Sequence, residues 1–126
     1  MALTLPPKQL APIAYTLVGG AVFRRLAVKE KVPAAQLELL VSIYVLGENQ
    51  LLPPSSSDIN EAKLMSRPLM RSYIRSLEAK GYLRQERIFQ NGPRWLRLTV
   101  EGTYLAKRCV GALHTAARAF LGQQFG

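Results

Sequence analysis

The composition is that of one globular domain. The 126 residues are 48% apolar and 20% charged, and a chain of this length buries about two-thirds of its surface on folding. The single cysteine, Cys109, excludes an intramolecular disulfide and a multi-cysteine zinc site. The single histidine, His114, argues against a histidine-rich metal centre or a Ser/Cys–His catalytic site. These counts argue against most hydrolases and zinc enzymes. The sequence also has no nucleophile–base pair, metal-ligand cluster or phosphate-binding glycine loop, so we expect a protein that is not an enzyme and needs no cofactor.

Positive charge is concentrated in the second half of the chain. Seventeen Lys/Arg against eight Asp/Glu give a net charge of +9, of which residues 1–63 contribute +1 (six basic, five acidic) and residues 64–126 contribute +8 (eleven basic, three acidic). Arginine dominates residues 67–97, and its planar fork suits phosphate oxygens and guanine edges. This pattern predicts a polyanionic partner, with nucleic acid ahead of an anionic membrane surface and a merely solvated basic face as the alternative.

The longest uncharged run does not suit a membrane span. Residues 9–23 form a run of fifteen residues that Pro12 and a Gly-Gly pair interrupt, whereas a spanning helix needs about 20 apolar residues. Only Lys8 precedes the run as a basic residue, which makes it a poor signal peptide. We therefore expect a cytoplasmic protein with no membrane partner, and export is the less favoured alternative.

Two helices are predicted first, over 8–29 and 34–47, and both are interpreted as scaffold. The apolar residues of each recur at helical spacing. Those of the first helix are Ile13, Leu17, Val18, Ala21, Val22 and Leu26, and those of the second are Leu37, Leu40, Val41, Tyr44 and Val45.

A helix-turn-helix follows a loop rich in proline and serine. Asp58, with Glu61 three residues later, has capping-box spacing and predicts a short helix to Lys63. Residues 64–66 form the turn. Ser66 is a suitable N-cap for a fourth helix over 67–80, with Pro68 in its first turn and Gly81 as a left-handed cap.

The fourth helix is predicted to have two distinct faces. Met70, Tyr73, Ile74 and Leu77 form an apolar stripe, while Arg67, Arg71 and Arg75 repeat at i+4 on another side. Arginines at this spacing repel one another by a few tenths of a kcal/mol per pair. A bound anion would remove that repulsion, although a solvated basic face explains the same pattern.

A β-hairpin and a long helix complete the chain. Asn91-Gly92 between two runs of β-formers predicts a hairpin over 82–98, which carries Arg84, Arg87, Arg94 and Arg97. Thr99 then caps a helix over 100–121. Its apolar residues lie about four apart at Leu105, Cys109, Leu113, Ala116 or Ala117, and Phe120. Cys109 is interpreted as a core residue rather than a redox sensor.

Two stretches resemble the winged helix-turn-helix of the multiple-antibiotic-resistance regulator (MarR) family. They are residues 66–83 and the Leu-Thr-x-x-Gly box at 98–102, which with helix three and the hairpin cover about residues 57–105. The resemblance implies a mainly α fold with a small β-hairpin (α+β) in one domain, 1–126. It places the helix-turn-helix at about 57–81, the wing at about 82–98, and dimerisation helices at about 8–29 and 100–121.

The resemblance also implies a function. Helix four of such a homodimeric transcriptional regulator enters the major groove of double-stranded DNA, and the wing reaches the minor groove. The candidate DNA-binding residues are Ser66, Arg67, Pro68, Leu69, Arg71, Ser72, Arg75, Arg87 and Arg94. Arg67 or Arg71 suits guanine and Leu69 a thymine methyl. Ser66, Ser72 and Arg75 suit phosphates, and Arg94 a narrow A·T-rich minor groove.

Other functions stay open at the level of sequence. A plasmid or phage replication or partition protein would share the fold, and a protein-interaction winged helix is less favoured because the recognition face is basic. A small-molecule effector is a possible further partner. The tyrosines at positions 15, 44, 73, 82 and 104 suit a pocket for it, and they suit a packed core equally well.

Overall fold

The computed structural model describes five helices and one hairpin. It covers the backbone of residues 7–63, 66–87 and 94–125, and the side chains of these residues except 7–15, 60–63 and 123–125. The elements in chain order are α1 (Pro7–Glu30), α2 (Ala34–Glu48), α3 (Ser56–Lys63), α4 (Arg67–Ala79), β1 (Leu83–Arg87), β2 (Arg94–Leu98) and α5 (Val100–Phe125). The predicted fold class, mainly helical with a small hairpin, is confirmed. The last helix continues four residues beyond its predicted end.

The two long helices pack along each other. Val22, Phe23 and Leu26 of α1 share one buried cluster with Leu105 and Cys109 of α5. Cys109 is fully buried, as predicted. Leu17 and Val28 of α1, by contrast, are 60% and 81% exposed, so α1 carries apolar side chains that the rest of the chain does not cover. Within the described part of the chain, no helix has the length and hydropathy needed to span a membrane.

Helix α2 lies in the middle of the molecule, where it contacts α1, α3, α4, α5 and β2. Its buried residues are Gln36, Leu37, Leu39, Leu40 and Ile43. The predicted apolar face is thus partly wrong: Val45 is 45% exposed, and Leu39 and Ile43 are buried instead. A helix that is covered on several sides has no single polar face. The spacing of its apolar residues therefore does not show which of them face the core.

Helix α3 begins two residues earlier than predicted. Ser55 is its N-cap: the Ser55 Oγ accepts a hydrogen bond from the Asp58 N–H at 3.3 Å, and the Ser55 N–H donates to Asp58 Oδ2 at 2.9 Å. This is a reciprocal capping box with Asp58 at N3 rather than at the N-cap. The prediction that Asp58 is the N-cap is therefore wrong. The predicted partner, the Glu61 side chain, lies outside the described side chains.

The predicted end signals of α4 are confirmed. The Ser66 Oγ accepts a hydrogen bond from the Leu69 N–H at 3.4 Å, and Pro68 lies in the first turn. Gly81 follows the C-terminus with a φ of +84°, in the left-handed region that favours glycine. Met70, Ile74 and Leu77 are buried. The predicted turn residues 64–65 lie outside the described residues.

The hairpin is antiparallel, and β2 also meets the start of α3. Leu83 pairs with Leu98 at one end of the hairpin and Arg87 pairs with Arg94 at the other. On its other side, β2 forms a bridge from Trp95 to Ser55, and the Leu96 N–H donates to the Pro54 carbonyl at 2.8 Å. The hairpin is thereby held against the helices, as a short hairpin must be. The predicted Asn91-Gly92 turn lies outside the described residues.

Thr99 joins the hairpin, α4 and α5. Its hydroxyl donates to the Gly81 carbonyl at 2.7 Å and accepts from the Gly102 N–H at 3.0 Å, and its own N–H donates to the Tyr82 carbonyl at 3.2 Å. The Leu-Thr-x-x-Gly box is therefore a structural junction that fixes the end of α4 against the start of α5.

Candidate nucleic-acid interface

The outer face of α4 is a basic surface on the outside of the molecule. Arg67, Arg71 and Arg75 are exposed, and so are the other predicted members of this face, Ser66, Pro68, Leu69 and Ser72. Leu69 is an apolar residue with 44% of its surface exposed. The predicted separation of the two faces of α4 is therefore present in the structure, and the arginine row is accessible to a large ligand.

No acidic side chain neutralises this row among the residues that the structure describes. The salt bridges found among these residues join Arg97 to Glu86 and Arg108 to Glu30, and neither includes an arginine of the row. Glu78, the acidic residue of α4 itself, accepts hydrogen bonds from the Gln85 backbone N–H at 3.3 Å and from Gln85 Nε2 at 3.2 Å. Among the side chains that the structure describes, no carboxylate thus relieves the repulsion expected along the row.

The hairpin carries its arginines on two faces. Side chains alternate along a strand, and the register places Arg87 and Arg94 on the same face as the buried Leu83 and Leu96. This face is turned towards the helices. Near the hairpin tip, therefore, two cations lie opposite each other on the side that faces α4.

The arginines of α4 and of the hairpin meet at a cleft of about 380 Å³. Its lining side chains come from α3, α4 and both strands: Ser56, Arg71, Ile74, Arg75, Gln85, Arg87 and Arg94. None of these is acidic. The structure thus brings four of the nine predicted site residues together around one open space, and it places the other five along the outer face and start of α4.

Arg71 also connects this cleft to two shallower depressions. One, of about 300 Å³, lies along α4 between Pro68, Arg71, Ser72 and Arg75. The other, of about 170 Å³, is formed by Arg67, Met70 and Arg71 with Ser56 and Ser57. Ser56 and Ser57 begin α3, so the positive end of that helix opens beside the arginine row.

Sequence reasoning missed the two serines of α3. It assigned the N-cap to Asp58, which placed Ser56 and Ser57 in the preceding loop. Ser55 and Asp58 also have capping-box spacing. This alternative pairing, which makes Ser56 the first helical residue, is the signal in the sequence that was overlooked.

Other basic residues of this region lie outside the site. Arg84 and Arg97 are on the opposite face of the hairpin, where Arg97 Nε lies 3.0 Å from Glu86 Oε2. Lys80 at the end of α4 donates from Nζ to Oε1 of the buried Gln36 at 3.3 Å. Its role is therefore to hold α4 against α2.

The residues that the structure describes contain no group of three His, Cys, Asp or Glu side chains able to hold a metal ion. Burial raises the pKa of the Cys109 thiol to about 11, which favours the protonated form over the nucleophilic thiolate.

Comparison with known proteins identifies the fold. No protein-family model matches the chain, and no curated protein matches it. Among solved structures, wild-type MarR from E. coli in its apo form has a TM-score of 0.70 at 13% identity, over 98% of this chain and 88% of that one. MepR, a transcription regulator of the Staphylococcus aureus multidrug efflux pump MepA, has a TM-score of 0.70 at 16% identity, over 94% of this chain and 84% of that one.

A third structure is that of a protein–DNA complex. The S. aureus MepR–DNA complex matches with a TM-score of 0.66 at 16% identity, over 87% of this chain and 80% of that one. These similarities extend well beyond the helix-turn-helix, because they include the long helices α1 and α5. The chain therefore has the winged helix-turn-helix fold of the MarR-family structures.

Proposed function

We propose that this protein is a transcriptional regulator that binds double-stranded DNA in a sequence-specific manner as a homodimer. The observation that carries the proposal is the continuous basic surface formed by the outer face of α4 and the cleft-facing arginines of the hairpin. Its guanidinium groups are exposed on one side of the molecule, as the electrostatic attraction of a polyanion requires.

The shape of this surface suits a duplex. A helix fits into the major groove of B-DNA, and the basic face of α4 is exposed to solvent. In this arrangement Arg67 or Arg71 reads guanine and Leu69 contacts a thymine methyl. Ser72 and Arg75 bind the backbone, together with the start of α4 at Ser66. Arg94 on the wing enters the adjacent minor groove.

The solved structures of the same fold support this assignment over an enzymatic one. MepR is described as a transcription regulator, and one of its matched structures is a complex with DNA. The acidic or apolar recognition face expected of a protein-interaction winged helix is absent from the described part of α4. A plasmid or phage replication or partition protein is the second candidate, because it would use the same basic surface.

The homodimer is proposed to form through α1 and α5. Leu17 and Val28 of α1 are exposed apolar side chains. A broad depression of about 590 Å³ runs between the two helices, lined by Val18, Arg25, Gly111, Ala112, Thr115, Ala116, Ala119 and Phe120. Small residues allow another helix to approach closely, and a second copy of this face would cover the exposed apolar side chains. Two α4 helices would then read half-sites about one helical turn apart.

A small-molecule effector would fit a groove between α2 and the hairpin. The groove has a volume of about 390 Å³, within the range of small-molecule sites. Tyr44, Leu52 and Trp95 are among its lining residues. Of the other tyrosines that the sequence suggested, Tyr73 and Tyr82 pack against the core, Tyr104 is exposed, and the Tyr15 side chain is outside the described ones.

We place the protein and its partner DNA in the cytoplasm.

The test is selection of bound duplexes from a random pool at two salt concentrations. The wild-type protein should enrich a pseudo-palindrome, with a log K versus log[salt] slope of about −9 if the dimer neutralises on the order of ten phosphates.

Replacing Arg67, Arg71 and Arg75 by Gln should abolish enrichment. Replacing Lys29, Lys107 and Arg118 by Gln removes the same charge from α1 and α5 and should preserve the selected motif. A salt slope near zero, or loss of enrichment in both variants alike, would contradict the proposal. The position of the motif, at a promoter or at an origin, separates the two candidates.

A further inference from the structure

The cleft between α4 and the hairpin separates two parts of the basic surface that the proposed function assigns to different grooves. Arg71 lies on the α4 side and Arg94 on the wing side, with Arg75 and Arg87 also lining the space between them. If α4 occupies a major groove and the wing the neighbouring minor groove, one sugar–phosphate strand separates these grooves. That strand must then pass through the cleft.

The cleft is built to attract an anion. Arg87 and Arg94 are directly opposed across the two strands, which brings two positive charges to the same end of the hairpin. Arg71 and Arg75, one turn apart on α4, face the same space, and no described lining residue is acidic. Ser56, at the positive end of α3, closes the cleft on a third side. The cleft thus gathers four guanidinium groups from two elements around one space that a phosphate group can enter.

We infer that the cleft binds one backbone phosphate of the DNA duplex, and that Arg75 from α4 and Arg87 from β1 share it. The inference rests on the proposed function, and it adds a specific division of labour. Arg71 and Arg94 read the grooves on either side, while Arg75 and Arg87 hold the strand between them. Arginine suits this role because its fork donates two parallel hydrogen bonds to phosphate oxygens.

A shared phosphate has a measurable signature, because two arginines on one phosphate are coupled whereas arginines on separate phosphates act independently. Arg75→Gln and Arg87→Gln should each weaken binding of the selected duplex by roughly ten-fold, the usual effect of losing a hydrogen bond to a charged group. The double variant should bind only slightly more weakly than either single variant. Its salt slope should be shallower than that of the wild type by about one per bound protomer.

The matched control is Arg84→Gln, which removes the same charge from the same strand on the face away from the cleft. It should change affinity much less. Thermal unfolding of each variant checks that it is folded.

A duplex with one methylphosphonate linkage per half-site, moved along each strand in turn, locates the phosphate. At one position the uncharged linkage should weaken wild-type binding and abolish the effects of Arg75→Gln and Arg87→Gln. Losses that multiply in the double variant, or that persist at every linkage position, would overturn the inference.

A separate titration with inorganic phosphate distinguishes failure of the inference from failure of the proposed function. If the wild type does not bind duplex DNA, the proposed function is wrong and the cleft is judged by this arm. Saturable phosphate binding at constant ionic strength, lost in the Arg75→Gln/Arg87→Gln protein and kept in Arg84→Gln, would keep the anion site with free phosphate as its ligand. Absence of saturable binding would overturn it.

Discussion

Gly102 lies directly against the backbone of Tyr82, and a Cβ at residue 102 would collide with the Tyr82 carbonyl oxygen. The same carbonyl accepts the Thr99 N–H at 3.2 Å. The first turn of α5 is thus in contact with the segment that ends α4, and only the absence of a side chain at residue 102 permits that contact.

Gly102→Ala should therefore destabilise the protein even though alanine favours helices. Because the clash is with backbone, the cost should be about 1–3 kcal/mol in the free energy of unfolding, seen as a lower urea midpoint. Gly122→Ala in the same helix is the control, since a Cβ there meets open space. It should leave stability unchanged or raise it by a few tenths of a kcal/mol. Equal effects of the two substitutions would show that the contact is not tight.

Arg71→Ala should weaken binding to the selected duplex by about 1–3 kcal/mol and relax the preference at one base position. The reason is that a base-reading arginine contributes both affinity and discrimination. Binding measurements on duplexes that differ at single positions test this directly. If the loss is the same on every sequence, Arg71 contacts a phosphate instead.

Arg94→Ala should weaken binding chiefly to sites flanked by A·T pairs. A·T-rich tracts have a narrow minor groove whose negative potential attracts an arginine. The comparison is between duplexes with the same core motif and either A·T or G·C flanks. An equal loss on both would remove Arg94 from the minor groove.

Leu17→Asp should dissociate the proposed dimer. The substitution places a charge on the exposed apolar face of α1, where a partner would bury it. Sedimentation equilibrium should report a dimer for the wild type and a monomer for the variant. Leu51→Asp is the control, because Leu51 is fully exposed on the loop between α2 and α3. A wild-type monomer, or dissociation by both substitutions, would contradict this interface.

Cys109 should make stability fall at alkaline pH. Burial raises its pKa from 9.0 to about 11 in the folded state, an effect that Glu30 adds to and Arg108 opposes. Below pH 9 both states keep the proton, so the contribution of the thiol is complete. Between pH 9 and 11 the unfolded chain loses the proton while the folded chain retains it, and the free energy of unfolding decreases.

Urea unfolding of the wild type and of Cys109→Ala at about pH 8 and about pH 10.5 isolates this contribution from the other titrating groups. The stability advantage of the wild type should shrink by about 2 kcal/mol over this range. The native thiol should also resist maleimide at neutral pH and react after unfolding. A constant difference between the two proteins, or rapid labelling of the native state, would mean that Cys109 is accessible.

Local signals in the sequence were sufficient for α4. Ser66, Pro68 and Gly81 mark its ends through side-chain capping and backbone conformation, and the i+4 spacing of its arginines separates its faces. These are properties of one segment, so they can be read without knowing what packs against it. The predicted start of α3 was wrong because Ser55 and Asp58 each have a side chain that suits an N-cap, and it is the reciprocal hydrogen bonds between them that give this role to Ser55.

The cleft could not be predicted from periodicity. Arg87 and Arg94 were identified as candidate DNA-binding residues, but their position opposite Arg71 and Arg75 depends on the strand register and on how the hairpin docks against the helices. Both are tertiary properties. The rotation of α2 has the same origin, because a helix surrounded by other elements buries whichever side chains its neighbours require.

The position of β2 between β1 and the Ser55 bridge leaves β1 on the outside of the sheet. An outer strand with free backbone groups invites pairing with another molecule, and proteins counter this with charged residues. The five residues of β1 include Arg84, Glu86 and Arg87, and Glu78 of α4 accepts a hydrogen bond from the Gln85 backbone N–H, so this edge is poorly suited to building intermolecular sheets. The charges of this strand thereby help to keep the protein from aggregating.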